Sequence, residues 1–195
     1  IEITQEEIQA RVDLRAPGRS GFVSARVEDD TVEILSGVFE GKTTGTPISL
    51  CIRNKDQRTA HYEALKDVLK PGHANFTYLE KYGIFDYRGG GRSSARETAC
   101  RVAAGAVAEK VLQHAGIYIT AYLKSMGSIT AHVDQSITAE HITSHPLFCP
   151  DPVASKKMEE QIKILKEEGD SIGGSVAISV IGCPAGLGDP IYEKI

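Results

Sequence analysis

The chain has 195 residues and a mass of 21.0 kDa, with 41% hydrophobic and 25% charged residues, the balance of an ordinary globular chain with a sizeable core. A formal net charge of −4 argues against a generic nucleic-acid binder, and no apolar run approaches the roughly 20 residues of a membrane-spanning helix. Trp is absent, and Gly, at 19 residues, stands above its usual share of about 7%.

The opening residues, Ile1 to Glu7, are acidic and polar, unlike a secretory leader. Residues 1–12 read as a short helix with Thr4 as N-cap and Glu6 and Glu7 in its first turn. Residues 13–24, rich in Arg, Gly and Pro, read as a loop. Residues 31–36 alternate apolar and polar side chains, the pattern of a half-buried strand. A Gly/Thr-rich turn region, 37–47, leads to a second strand at 48–52. Residues 70–94 carry few periodic apolar positions and read as a long loop, a feature that is usually functional in a compact domain.

The strongest helix is predicted from about Ala95 to Gln113, with Ser94 as N-cap and Glu97 completing a capping box. Its interior, Val102 to Ala108, is small and apolar nearly all round, which predicts burial on both sides. Gly116 ends it. A strand follows at 117–123, then a polar region at 130–152 with one short helix. An amphipathic helix at 155–168 turns Met158, Ile162 and Leu165 inward, with Ser155 as cap and Gly169 as stop. The last strand is at 175–181, before a Gly/Pro loop at 182–190. Strands and helices do not alternate as regular βαβ units, so the expected class is α+β, in one domain. Cys51, Cys100, Cys149 and Cys183 have neither Cys-x-x-Cys spacing nor a zinc-finger His, so reduced, mostly buried thiols and no metal site are expected.

Three motifs invite chemistry. Gly37 to Thr43 resembles a phosphate-binding P-loop, but three residues separate its glycines where four are needed, and a strand follows it instead of a helix; it reads as a turn. The second is Arg88-Gly89-Gly90-Gly91-Arg92-Ser93-Ser94-Ala95-Arg96-Glu97. Its glycines admit a close ligand, its serines donate hydrogen bonds, and the N-terminus of the following helix favours an anion such as phosphate or carboxylate. The four-residue spacing of Arg92 and Arg96 puts them on one side of any helical stretch. Residues 70–101 contain six basic residues (Lys70, Lys81, Arg88, Arg92, Arg96, Arg101) against three acidic ones (Glu80, Asp86, Glu97), a net +3 within a chain of −4. A positive patch on an acidic body suits a small anion. The third motif is Lys70-Pro71-Gly72-His73-Ala74-Asn75, where a Pro-Gly turn presents His73 beside Lys70 as a candidate acid or ligand donor.

Together with Lys81-Tyr82-Gly83, Arg101 to Ala106, Arg15-Ala16-Pro17-Gly18, Ser36 to Ile48, Glu168 to Gly174 and Gly186 to Pro190, these motifs resemble the chorismate synthase family over the whole 195 residues in order. The resemblance implies a β-α-β sandwich of antiparallel sheets and helices, a homotetramer, and a cytoplasmic lyase of the shikimate pathway. Such an enzyme eliminates phosphate and a ring proton, 1,4 and anti, from 5-enolpyruvylshikimate 3-phosphate to give chorismate. It needs reduced FMN without net redox change, with NADPH as one source of electrons. The resemblance makes His73 the general acid, Arg92, Ser93 and Ser94 the FMN contacts, and Arg15, Lys70 and Arg96 the residues facing substrate or cofactor anions. No nucleic-acid or membrane partner is implied.

Lys70 stands where the family usually has Arg, keeping charge but losing the bidentate fork. Asn75 stands where Asp is usual, and Gly21 where a further Arg is expected. The family's leading Gly-Glu-Ser-His-Gly block, with a second catalytic His, and its C-terminal half, with a catalytic Asp, have no counterpart here. The expectation is one incomplete domain over residues 1–195 with little or no turnover alone; the alternative function is an inactive anion- or flavin-binding module.

Overall fold

The computed structural model has an α+β fold, and its description covers residues 1–18, 20–23, 29–55, 60–63, 66–88, 91–134 and 137–188. Gly89, Gly90, Asp189 and Pro190 of the motifs above lie outside the described residues. The chain folds as two compact units, one of residues 1–19 and 25–108, the other of residues 20–24 and 109–195.

The first unit opens with α1 (Gln5–Arg15), three residues longer at its C-terminal end than the sequence suggests. Thr4 and Glu7 form a full capping box: the Thr4 hydroxyl accepts from the Glu7 N–H, and the Glu7 carboxylate accepts from the Thr4 N–H. The extension to Arg15 follows from the absence of any breaker before Pro17. Ile8 and Val12, four apart, share one face and are fully buried. They pack with Ile3, Val32, Ala103 and Ala106, each large aliphatic contributing about 1.5–3 kcal/mol.

β1 (Val32–Ser36) pairs antiparallel with β4 (Ser49–Ile52), Val32 opposite Ile52. The region between them, read as turns, closes on its own hairpin of β2 (Val38–Phe39) and β3 (Lys42–Thr43). Gly37 has φ +83°, and a Cβ there would lie 2.7 Å from the Ile48 Cα, so only glycine fits. The P-loop look-alike is thus this hairpin.

A short α2 (Ala60–Glu63) precedes the segment read as loop, and α3 (Asn75–Tyr82) interrupts it. α3 carries Phe76, Leu79 and Tyr82 at helical spacing, a stripe that the loop reading passed over and that stays exposed; Gly83, in the left-handed conformation, closes it. The helix predicted from Ala95 begins as two separate 3-10 turns, Gly91–Ser93 and Ala95–Glu97, before α4 (Thr98–His114). Only Ala99, Ala103 and Ala106 of α4 are buried, one stripe at helical spacing, while Ala104, Gly105 and Ala108 are exposed. Burial on both sides is therefore not observed.

The second unit carries a three-stranded antiparallel sheet in the order β6-β5-β7, from β5 (Tyr118–Met126), β6 (Ile129–Thr130) and β7 (Gly174–Ile181). α5 (Ala139–Thr143) and α6 (Pro152–Glu168) complete it. α6 starts earlier than read. Asp151, not Ser155, is its cap, accepting from the Val153 and Ala154 N–H groups, with Pro152 at the first helical position. Ser155 is buried inside the helix, and Met158 anchors a core with Ala131, Cys149 and Ala154. Of the cysteines only Cys149 is buried; Cys100 and Cys183 are exposed, which corrects the expectation of mostly buried thiols. Burial pushes the Cys149 thiol pKa up, so that sulfur stays neutral and inert. Among the described residues no helix is long and apolar enough to cross a membrane, and no three His, Cys, Asp or Glu side chains gather as a metal ion would need.

Candidate active site

The Lys70-Pro71-Gly72-His73 segment forms a tight turn in which the His73 N–H donates to the Lys70 carbonyl at 3.2 Å and Gly72 takes φ +75°. Pro at the second position and Gly at the third are what a type II turn requires. α3 starts two residues later, with Asn75 in its first turn. A second turn is built from Asp86, whose carboxylate accepts from the Arg88 N–H at 3.0 Å, and Gly91 at φ +50° leaves room beside that carboxylate. Ser94 then caps the second 3-10 turn, its hydroxyl accepting from the Arg96 N–H at 3.3 Å.

These turns bring Lys70, His73, Ser93 and Ser94 to the wall of one cavity of about 230 Å³, with Asn75 and Asp86 beside them. The Lys70 ammonium lies 5.8 Å from the centre of the Tyr62 ring, which also lines the cavity. A second cavity of about 280 Å³ shares Asp86 and Ser94 with the first and adds Asn54, Arg88, Gly91 and Arg96. Most of the polar lining donates hydrogen bonds. Asp86 and the Asn75 carbonyl accept, and the Asn75 Oδ1 is buried without any partner.

The arginines do not form a ladder. Arg92 and Arg101 both hold Glu97, and the Arg92 side chain is 81% exposed. Glu97 is therefore spent on cations and does not complete the expected capping box with Ser94. Arg96 instead meets Arg15 on the fully buried carboxylate of Asp30, with Arg15 Nη1 3.3 Å from Asp30 Oδ2. Arg15 also donates to the Ala95 carbonyl at 3.1 Å and the Thr98 hydroxyl at 3.2 Å, and Arg96 to the Arg53 carbonyl at 3.0 Å. Arg88 sits 3.9 Å from Asp86. Among the described residues, Asp30 thus takes Arg15 and Arg96, Glu97 takes Arg92 and Arg101, and Asp86 takes Arg88.

The structure therefore places His73, Lys70, Ser93 and Ser94 together, Arg96 on the adjoining cavity, Arg15 behind Arg96 across Asp30, and Arg92 outward on Glu97. Sequence reasoning missed Asp30 and Asp86. Asp86 lay inside a motif already singled out, whereas nothing around Asp30 marks it except an acidic pair before a strand.

The chorismate synthase family model matches residues 1–195. The chain is 49% identical over 195 residues to the chorismate synthase of Desulfatibacillum aliphaticivorans, covering all of this chain and 54% of that protein. It is 48% identical over 202 residues to that of Protochlamydia amoebophila (strain UWE25), covering 100% of this chain and 55% of the relative. A solved structure described as a crystal structure of chorismate synthase superposes with a TM-score of 0.70 at 32% identity, over 98% of this chain and 54% of the other. The chain spans about half the length of the curated relatives it matches. A cavity walled by the Lys70 turn and the Ser93-Ser94 turn, and a match running from the first residue to the last, lead to one assignment: the chain belongs to the chorismate synthase family.

Proposed function

We propose that this chain carries part of the active site of a chorismate synthase, which eliminates phosphate from 5-enolpyruvylshikimate 3-phosphate to give chorismate with the help of reduced FMN. The observation that carries the reading is the single cavity that collects Lys70, His73, Ser93 and Ser94. Its residues fit the cofactor: a cation and hydroxyl donors for a phosphate, and aromatic rings of Tyr62, Tyr78 and Phe85 for an apolar ring. Reduced flavin, when bound, supplies electron density to the elimination without net redox change. Ser93 and Ser94 would hold it, with Arg92 as the family's third contact although its side chain points outward to Glu97. Lys70 and Arg96 attract and orient the phosphate and carboxylates of the substrate, and Arg15 keeps Arg96 company on Asp30. His73 holds a proton at its imidazole and delivers it into the cavity as general acid. In the net elimination the carbon–oxygen bond breaks with its electron pair leaving on phosphate, a ring carbon–hydrogen bond breaks with its proton released to the medium, and the pair from that bond becomes the new carbon–carbon double bond. The working enzyme is cytoplasmic and homotetrameric, and its flavin is reduced by NADPH or an external donor.

The test is titration with FMN, with and without substrate, followed by a chorismate assay under reducing conditions. Binding of both ligands is expected, with binding lowered by Ser94→Ala and proton delivery lost in His73→Ala. Because the chain spans about 54% of its relatives, a second reading is an anion- and flavin-binding module without turnover. Tight binding with no chorismate favours that module; absence of any flavin binding sinks both.

A further inference from the structure

Asp30 carries a fully buried carboxylate on a left-handed backbone, with φ +38°. Both features are unfavourable in themselves: burial strips the charge of its hydration, and side chains rarely adopt that conformation. The Gln9 side chain nevertheless pins this turn of chain to α1, donating to the Asp30 carbonyl at 3.4 Å and accepting from the Val32 N–H at 2.8 Å. The two carboxylate oxygens are divided, Oδ1 accepting from Arg96 Nη1 and Oδ2 from Arg15 Nη1. At the other end of the same guanidinium, Arg96 Nη2 donates to the Arg53 carbonyl at 3.0 Å. Two anchors on a planar group fix both its place and its plane. Arg96 lines the cavity that shares Asp86 and Ser94 with that of Lys70 and His73, and 19% of its side-chain surface stays exposed, whereas the Asp30 side chain is closed off. Exchanging a buried ion-paired cluster for apolar side chains is often neutral for stability, so stability alone does not account for this carboxylate. We propose that Asp30 is a positioning residue: without touching the ligand, it sets the Arg96 guanidinium at the cavity wall to receive a phosphate or carboxylate of the substrate. The proposal rests on the reading of the cavities as the ligand site given above.

The position calls for a carboxylate in particular. Arg15 and Arg96 carry like charges, and the anion between them holds them together. An amide at position 30 keeps one accepting oxygen but turns an NH2 group toward the other guanidinium, so one arginine loses its anchor. Arg15 serves the same arrangement from behind: by occupying Oδ2 it keeps the carboxylate from rotating, and through the Ala95 carbonyl at 3.1 Å and the Thr98 hydroxyl at 3.2 Å it ties Asp30 to the turn that carries Arg96. A guanidinium ordered in advance gives up less side-chain freedom when an anion arrives.

The experiment takes wild type, Asp30→Asn, Arg96→Gln and the double variant of the full chain and titrates each with 5-enolpyruvylshikimate 3-phosphate and, separately, with FMN. Guanidinium N–H signals are recorded by NMR, those of Arg96 being assigned by their loss in Arg96→Gln. Asp30→Asn is expected to weaken the phosphorylated acid about tenfold and to collapse the resolved Arg96 Nη signals through free rotation, while FMN affinity stays within about twofold. In the Arg96→Gln background the same change costs less than about twofold, because the residue through which Asp30 acts is gone. A tenfold loss that persists in that background overturns the proposal, as does wild-type affinity of Asp30→Asn or an equal loss for both ligands. Arg96 signals that are averaged in wild type, or that stay resolved in Asp30→Asn, overturn it too. If Asp30→Asn does not fold, Asp30→Glu takes its place in the cycle with a loss of again about tenfold, since the extra methylene displaces the guanidinium; if neither folds, Asp30 is structural and the proposal falls. If wild type does not bind the phosphorylated acid, the proposed function fails instead, and the NMR signals alone decide for Asp30: their collapse in Asp30→Asn sustains its hold on Arg96, their persistence overturns it.

Discussion

The stretch that carries the candidate site and the core of the second unit are held by different means. In the second unit, buried side chains recur from Ile117 to Met158, and β5 and β7 pair from Tyr118–Ile181 to Met126–Gly174 with one irregularity between Leu123 and Ser125. In the first, no described residue between 33 and 98 is buried, yet this stretch contains every turn of the candidate site. Capping hydroxyls, tight turns and carboxylates shared by arginines hold it in place. A segment fixed by polar contacts at its surface opens at low cost. A segment fixed by apolar burial gives stability but little adjustment.

This comparison can be broken at the point where the first unit departs from its own rule. Asp30 is its one fully buried carboxylate among the described residues, and both Arg15 and Arg96 depend on it. Asp30→Ala leaves two partly buried guanidiniums facing each other and is expected to cost about 3–5 kcal/mol, read as a drop in urea midpoint. If the loss is below 1 kcal/mol, polar contacts are not what orders this unit. In the second unit Met158→Ala empties a fully buried site and is expected to cost about 2–5 kcal/mol, with hydrogen exchange rising across α6 and β5. Equal protection loss in residues 75–97 would show that the two units do not unfold separately.

A pH titration sharpens the contrast. Three backbone N–H groups, from His132, Ala154 and Val153, hold the Asp151 carboxyl below its ordinary range. A carboxyl whose folded value is depressed stabilises above its unfolded value, and that contribution is lost as pH falls through the folded value. Wild type should therefore lose Tm on acidification more steeply than Asp151→Asn, which keeps a capping oxygen but cannot titrate; the two curves meet in acid. The smallest effect is expected at Arg92, whose exposed pair with Glu97 contributes about 0–1 kcal/mol, so Arg92→Ala should leave the urea midpoint nearly unchanged.

Much of this was legible in the sequence where a local cause acts alone. The Thr4 cap, the Pro71-Gly72 turn and the Gly169 stop each depend on neighbours within four residues, and each is where the pattern puts it. The errors arise where a distant partner competes. Glu97 looks like a capping-box acid but is claimed by Arg92 and Arg101. Arg96 looks like a partner of Arg92 but is drawn to Asp30, 66 positions away. Ser155 looks like a cap, but Asp151, followed by Pro152, starts the helix a turn earlier. α3 was passed over for another reason: Phe76, Leu79 and Tyr82 do recur at helical spacing, but over eight residues, in a segment crowded with Gly, Tyr and basic side chains. In the candidate site, the clustering of His73 with Ser93 and Ser94 depends on how two turns meet, and composition alone carries no record of that.

Gly37 sets a boundary on how this protein can drift. Every missense change at its codon adds a carbon where the Ile48 backbone already stands, in a conformation that side chains rarely adopt. Laboratory evolution of the hairpin therefore has to work through its neighbours, such as the exposed Phe39 and Lys42, and libraries that randomise position 37 spend nearly all of their members on chains that cannot close it.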